Sequence, residues 1–124
     1  MTVNAPPDRL NASLVHKVCE LYKQIYSLGF KIPKRDRYGI WSKTENLCLE
    51  INHLIIKSAL ANKNNKLVSL NSARIEIEVL KKFLTITYDL KIIQTKNYLQ
   101  LESDLQEISR MANGWIKYLA QKEL

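Results

Sequence analysis

Glycine and proline are scarce, with three of each among 124 residues. Few turn formers mean few turns, which argues against many short strands and favours long uninterrupted elements. Abundant Leu, Ile, Lys and Glu point those elements toward helix. Long apolar runs are also lacking. The stretch LIIKSALA is broken by Lys57 and falls well short of the roughly 18 apolar residues expected of a membrane span. The opening MTVNAPPDRL carries no cationic segment followed by an apolar run, so no secretory signal is read there and a cytoplasmic location is expected. Cysteine is nearly absent. Cys19 and Cys48 form no closely spaced pair, and in a reducing compartment they read as small buried apolar residues without a disulfide.

What is present is the composition of an ordinary globular chain, 46% hydrophobic and 25% charged. The length suits a single domain over residues 1–124, with residues 1–8 expected as a flexible arm. Leu10, Leu14, Val18, Leu21, Ile25 and Leu28 recur at spacings of three and four up to Gly29, the pattern of one helix and its end. A second helix is expected from Pro33 onward. Its stripe is Ile40, Thr44, Leu47, Ile51, Leu54, Ser58 and Ala61, flanked by Trp41, Cys48 and Ile55 and stopped by ANKNNK.

Leu67, Leu70, Ala73, Ile77, Leu80, Leu84 and Thr87 mark the third helix. Within it FLTITY alternates like a strand, but the run is short and lies inside a longer helical period, so it is assigned to helix. Thr95 suits the N-cap of a fourth, striped by Tyr98, Leu101, Leu105, Ile108, Ala112, Trp115 and Leu119. Short links between four helices imply an all-α, antiparallel up-down four-helix bundle. Apolar residues outside these stripes need another surface: Trp41, Leu49 and Ile56, then Ile75, Val79, Phe83 and Ile86, then Met111 and Ile116. They predict packing between subunits, against the simpler reading of scattered exposed apolar residues.

Charge is distributed unevenly. Lys and Arg number 19 against 12 acids, a net charge of +7. No acid lies between Ile51 and Ile75, where Lys57, Lys63, Lys66 and Arg74 stand around the hairpin of helices two and three. A second cluster, Lys31, Lys34, Arg35 and Arg37, surrounds Pro33 with Asp36 as its only acid. Cations at a helix start oppose the helix dipole, so their presence there points to an anion. A helix of roughly 25 residues would hold the two clusters about 35 Å apart, giving two basic poles. Such surfaces attract phosphates and gain from counterion release, which suggests nucleic acid; a solvated face is the plainer alternative. No helix pairs a basic face with a bulky apolar one free for lipid, so membrane binding is not expected.

Catalytic groups are hard to assemble. His16 and Cys19 share a face, but Cys48 and His53 are five residues apart, about 140° around a helix, a poor arrangement for one metal. Arg9 and His16 have the spacing of some helical ribonucleases but lie near an expected frayed turn, where acid-base geometry would not be held. No glycine-rich phosphate loop is present. Neither catalytic residues, nor a metal, nor a cofactor is expected.

The segment GFKIPKRDRYGIWSKTENLCLEINHLIIKSALA, followed by a third helix and then LESDLQEISRMANGWIKYL, resembles the accessory variability determinant (Avd) family of diversity-generating retroelements. The likeness runs from Gly29 to the end. It implies a four-helix bundle assembled as a five-fold ring. It also implies no enzyme activity, a reverse transcriptase as partner, and template RNA held on basic surfaces in support of mutagenic cDNA synthesis. The family's basic turn falls on Lys31, Pro33, Lys34, Arg35 and Arg37, and its final-helix motif, implied to serve partner or oligomer packing, on Arg110, Met111, Gly114 and Trp115. Two other readings compete with it: a related four-helix bundle of the type encoded in ribosomal RNA intervening sequences, binding RNA for another purpose, and a purely structural oligomer.

Overall fold

The protein is described by a computed structural model covering residues 7–122. The described residues form four long helices and one single turn: α1 (Pro7–Gly29), α2 (Lys34–Arg37), α3 (Ile40–Leu60), α4 (Lys63–Asp89) and α5 (Thr95–Lys122). Among the described residues there is no strand. Short links make successive long helices run antiparallel. Helix α3 packs on α1 and α4, and α5 closes the bundle against α1 and α4. The arm expected at residues 1–8 falls mostly outside the described residues, and Pro7 and Asp8 already belong to α1.

The expected stripes of α1, α4 and α5 face the core, although Leu28, Leu67 and Tyr98 are only partly buried and the side chain of Leu10 lies outside the described residues. Leu14, Val18, Leu21 and Ile25 of α1 are buried, as are Leu70, Ala73, Ile77, Leu80, Leu84 and Thr87 of α4 and Leu101, Leu105, Ile108, Ala112, Trp115 and Leu119 of α5. FLTITY is helical, and its threonines satisfy their hydroxyls locally. Thr85 Oγ1 donates to Lys81 O at 3.0 Å and Thr87 Oγ1 to Leu84 O at 2.8 Å. Thr95 is the first residue of α5 rather than its cap, and its hydroxyl bonds Tyr88 Oη at 3.1 Å.

The α3 stripe is rotated from the expected one. Trp41, Thr44, Cys48, Ile51, Asn52, Ile55 and Ser58 are its buried residues, while Leu47 and Leu54 are only partly covered. Trp41, expected on an outer surface, is fully buried. Its indole N–H donates to Ile25 O at 3.1 Å, so the largest side chain of α3 finds both an apolar site and a polar partner on α1. Gly29 makes room for it: a Cβ there would lie 3.3 Å from the Trp41 ring and 3.2 Å from Glu45 Oε2. Asn52 ties the same pair of helices by donating to Val18 O at 3.1 Å and to Cys48 O at 2.8 Å.

The helix expected from Pro33 is also divided. Asp36 N and Arg37 N both bond Pro33 O, at 3.0 and 2.8 Å, giving one turn that ends at Tyr38. Gly39 then takes φ −100°, ψ −114°, and a Cβ on it would meet Arg35 O at 3.0 Å. The chain therefore re-aims at Gly39 before α3 begins.

Both cysteines are free thiols, with Cys48 buried and Cys19 partly so. Burial first, then the neighbouring Cys19 thiol, pushes Cys48 from an ordinary value near 9 up to about 12. Because the folded pKa is the raised one, the stability this thiol contributes is intact below pH 9 and is lost as pH rises toward 12. At neutral pH a thiol reagent should modify Cys19 of the native chain and reach Cys48 only in denaturant. Rapid reaction of both would show that the α1–α3 seam opens freely.

Candidate nucleic-acid interface

The link from α1 to α3 holds the first basic cluster. Lys31, Lys34 and Arg35 are exposed, whereas Arg37 is half-buried. Its Nε is buried without a hydrogen-bond partner among the described residues. Its charge acts on Glu45, whose carboxyl is pushed up chiefly by burial and pulled back by the Arg37 guanidinium. Arg37 thus belongs partly to the fold. Since Pro33 opens only a single turn, the dipole opposing the cations is small, and the penalty expected for a long helix start does not apply.

The second cluster is dispersed. Lys66, from the first turns of α4, donates to Ser58 O at 2.8 Å and Ala59 O at 3.2 Å, satisfying carbonyls at the end of α3. Its ammonium also stands 5.7 Å from the centroid of the Trp115 ring. Lys57 and Arg74 are exposed. Arg74 lies 11 residues into α4, about 16 Å along its axis from Lys63. Lys63 opens α4, but its side chain lies outside the described residues.

The final-helix motif divides between two faces. Trp115 is fully buried and Met111 packs against the core. Arg110 points outward and pairs with Glu107 at 2.7 Å. Gly114 is exposed, and a Cβ added to it would meet nothing within 4 Å. Among the described residues no neighbouring helix comes within reach of such a Cβ. Gly114→Ala should therefore raise the unfolding free energy by about 1 kcal/mol through helix propensity. A loss of stability, measured by chemical denaturation, would mean that something else packs against this position.

One feature of the basic pole was not legible as a site in the sequence. The α4–α5 connection returns to the same end of the bundle as the α1–α2 link, and between them lies an open groove of about 820 Å3. Lys31, Ile32, Tyr88, Lys91, Ile93 and Asn97 are among the residues lining it. The up-down topology carries the signal, because the first and third links of such a bundle share an end. Neither Lys91 nor Asn97 belongs to a charge cluster in the sequence.

No group of three or more His, Cys, Asp or Glu side chains gathers among the described residues. His16 and His53 are both exposed and stand on separate helices. No helix of the described residues is long and apolar enough to cross a membrane.

A helical bundle with a pole of exposed lysine and arginine is the class that fold and surface define. The chain matches the bAvd-like family model over residues 13–119 and belongs to that family, the Avd family that its Ile-Pro-basic turn and ISRMANGWI motif resemble. No curated protein and no solved structure matched it.

Proposed function

We propose that the protein is a non-catalytic accessory subunit of a diversity-generating retroelement, acting in the cytoplasm. In this reading it binds the element's reverse transcriptase and template RNA in support of mutagenic cDNA synthesis. The observation that carries the reading is the match of most of the chain to the bAvd-like family, supported by the exposed, unneutralised Lys31, Lys34 and Arg35 at one pole. These three are the primary phosphate contacts. Lys57 and Arg74 are separate secondary contacts toward the other end, with Lys63, whose side chain lies outside the described residues, proposed beside them, and Arg37 and Lys66 contribute charge from positions that also serve the fold.

Assembly fits the same reading. Leu49, Ile56 and Leu60 leave an apolar row exposed on α3, while Ile75 and Ile86 do so on α4. Two different rows favour a head-to-tail contact between copies, which closes into a ring rather than a two-fold dimer. A homopentamer is the proposed ring, with the outer face of the α5 motif, Arg110 and Gly114, left for partner contact and with Met111 and Trp115 setting the position of that face.

The test is co-purification. The tagged chain, co-expressed with the element's reverse transcriptase and template RNA, should retain both through a moderate-salt wash. Retention of RNA alone would favour the ribosomal RNA intervening-sequence type of bundle, and retention of neither would leave a structural oligomer.

A further inference from the structure

We infer that the groove between the α1–α2 link and the α4–α5 connection seats one nucleotide of a single-stranded RNA, with Lys31 and Lys91 on its phosphate. The inference rests on the RNA-binding reading above and names a site for it. The groove's volume of about 820 Å3 is within the roughly 300–1,000 Å3 of small-molecule clefts. Its lining is mixed in the manner a nucleotide requires. Ile32 and Ile93, both nearly fully buried, form an apolar floor, Gln94 and Asn97 offer amides, and Lys31 and Lys91 supply exposed cations. Tyr88 is a stiff wall, since its ring stacks on Tyr98 at 4.4 Å and 9° and its hydroxyl bonds Thr95. Aromatic walls beside cations are how sequence-tolerant sites hold single strands. Asp89 is the single acid of the lining, outnumbered by the two lysines and by Lys34 and Arg35 just beyond Pro33.

Lys91 itself supplies an independent observation. It ends α4 in the left-handed region at φ 61°, and it is the one non-glycine residue with positive φ among those described. Ile92 N bonds Thr87 O and Lys91 N bonds Tyr88 O, each at 2.9 Å, the pairing of a helix end at which glycine is by far the preferred residue. A lysine there carries a backbone cost that glycine would remove. Lys91 lines the groove, and its ammonium takes part in no hydrogen bond or ion pair among the described residues. A side chain kept at a position that disfavours it, on the wall of a nucleotide-sized cleft, points to use outside the fold.

The experiment uses the full chain, a labelled oligouridine of about 16 nucleotides, and the variants Lys91→Gly and Lys91→Arg. Lys91→Gly should shift the two readouts in opposite useful directions. The melting temperature should rise by about 2–6 °C, while RNA affinity falls about 3- to 10-fold and the salt slope shrinks by about 0.7. Lys91→Arg should keep parental affinity and slope without the rise in melting temperature. Parental RNA affinity in Lys91→Gly overturns the inference. If Lys34→Gln/Arg35→Gln weakens RNA binding in that case, the RNA reading itself stands. A parent chain that fails to bind the oligouridine overturns both. Loss of the reverse transcriptase from Lys91→Gly with RNA binding intact assigns the groove to the protein partner and also overturns it.

Discussion

Trp115→Ala is expected to lower the unfolding free energy by about 3–5 kcal/mol, a large share of the roughly 5–15 kcal/mol that holds a domain together. The ring is fully buried in the α5 stripe. It also lies under the ammonium that caps the end of α3, because Lys66 stands 5.7 Å from its centroid while donating to Ser58 O and Ala59 O. Truncation would open a cavity and remove the aromatic face from that cation, so the α3–α4 hairpin should loosen together with α5. The indole N–H is buried without a partner among the described residues, so part of what Trp115 contributes by packing is offset by an unmet donor. Trp115→Phe, which keeps an aromatic ring and deletes that donor, should therefore cost much less, under about 1.5 kcal/mol. Urea denaturation of the two variants separates the terms. Unchanged stability in Trp115→Ala would place the ring at the surface.

The second large effect is on binding. Replacing Lys31, Lys34 and Arg35 together with Gln should reduce affinity for single-stranded template RNA on the order of tenfold to a hundredfold and take about 2 units from the salt slope, near 0.7 for each lost phosphate contact. Folding should be unaffected, since all three side chains are exposed and none takes part in a hydrogen bond or salt bridge among the described residues. Arg37 is left out for a physical reason. Half-buried beside Glu45, it offsets the burial that pushes that carboxyl up, so Arg37→Gln would confound lost binding with a disturbed α2–α3 junction.

Much of the fold was legible because its signal is periodic. The spacing of Leu101, Leu105, Ile108, Ala112, Trp115 and Leu119 leaves one possible inward face, and all six are buried. On α3 the expected stripe holds Thr44 and Ser58 but not Asn52, and the burial of that polar residue, which hydrophobic periodicity does not flag, goes with an inward face turned toward Trp41, Cys48 and Ile55. What settles that register is a hydrogen bond to Ile25 O on another helix, which spacing does not encode. The break at Gly39 depends likewise on a close approach to Arg35 O.

The surface was less legible, because charge counts do not say where a long side chain ends. Lys66 sits in an acid-free stretch and reads as a free cation, yet its ammonium turns inward to cap α3. Lys91 stands alone in the sequence and gains importance only because topology brings the α4–α5 connection beside Lys31.

The pole built by the α1–α2 link is proposed to hold RNA phosphate. The most direct test is the equilibrium binding of labelled template RNA to the full-length parent chain across a series of salt concentrations, with the Lys31→Gln/Lys34→Gln/Arg35→Gln variant measured alongside. Logarithmic affinity of the parent should fall linearly with logarithmic salt, with a slope of about −2 or steeper, and the slope of the variant should be smaller by about 2 units. Equal affinities and equal slopes for the two proteins would leave the cluster as a solvated turn that holds no RNA phosphate.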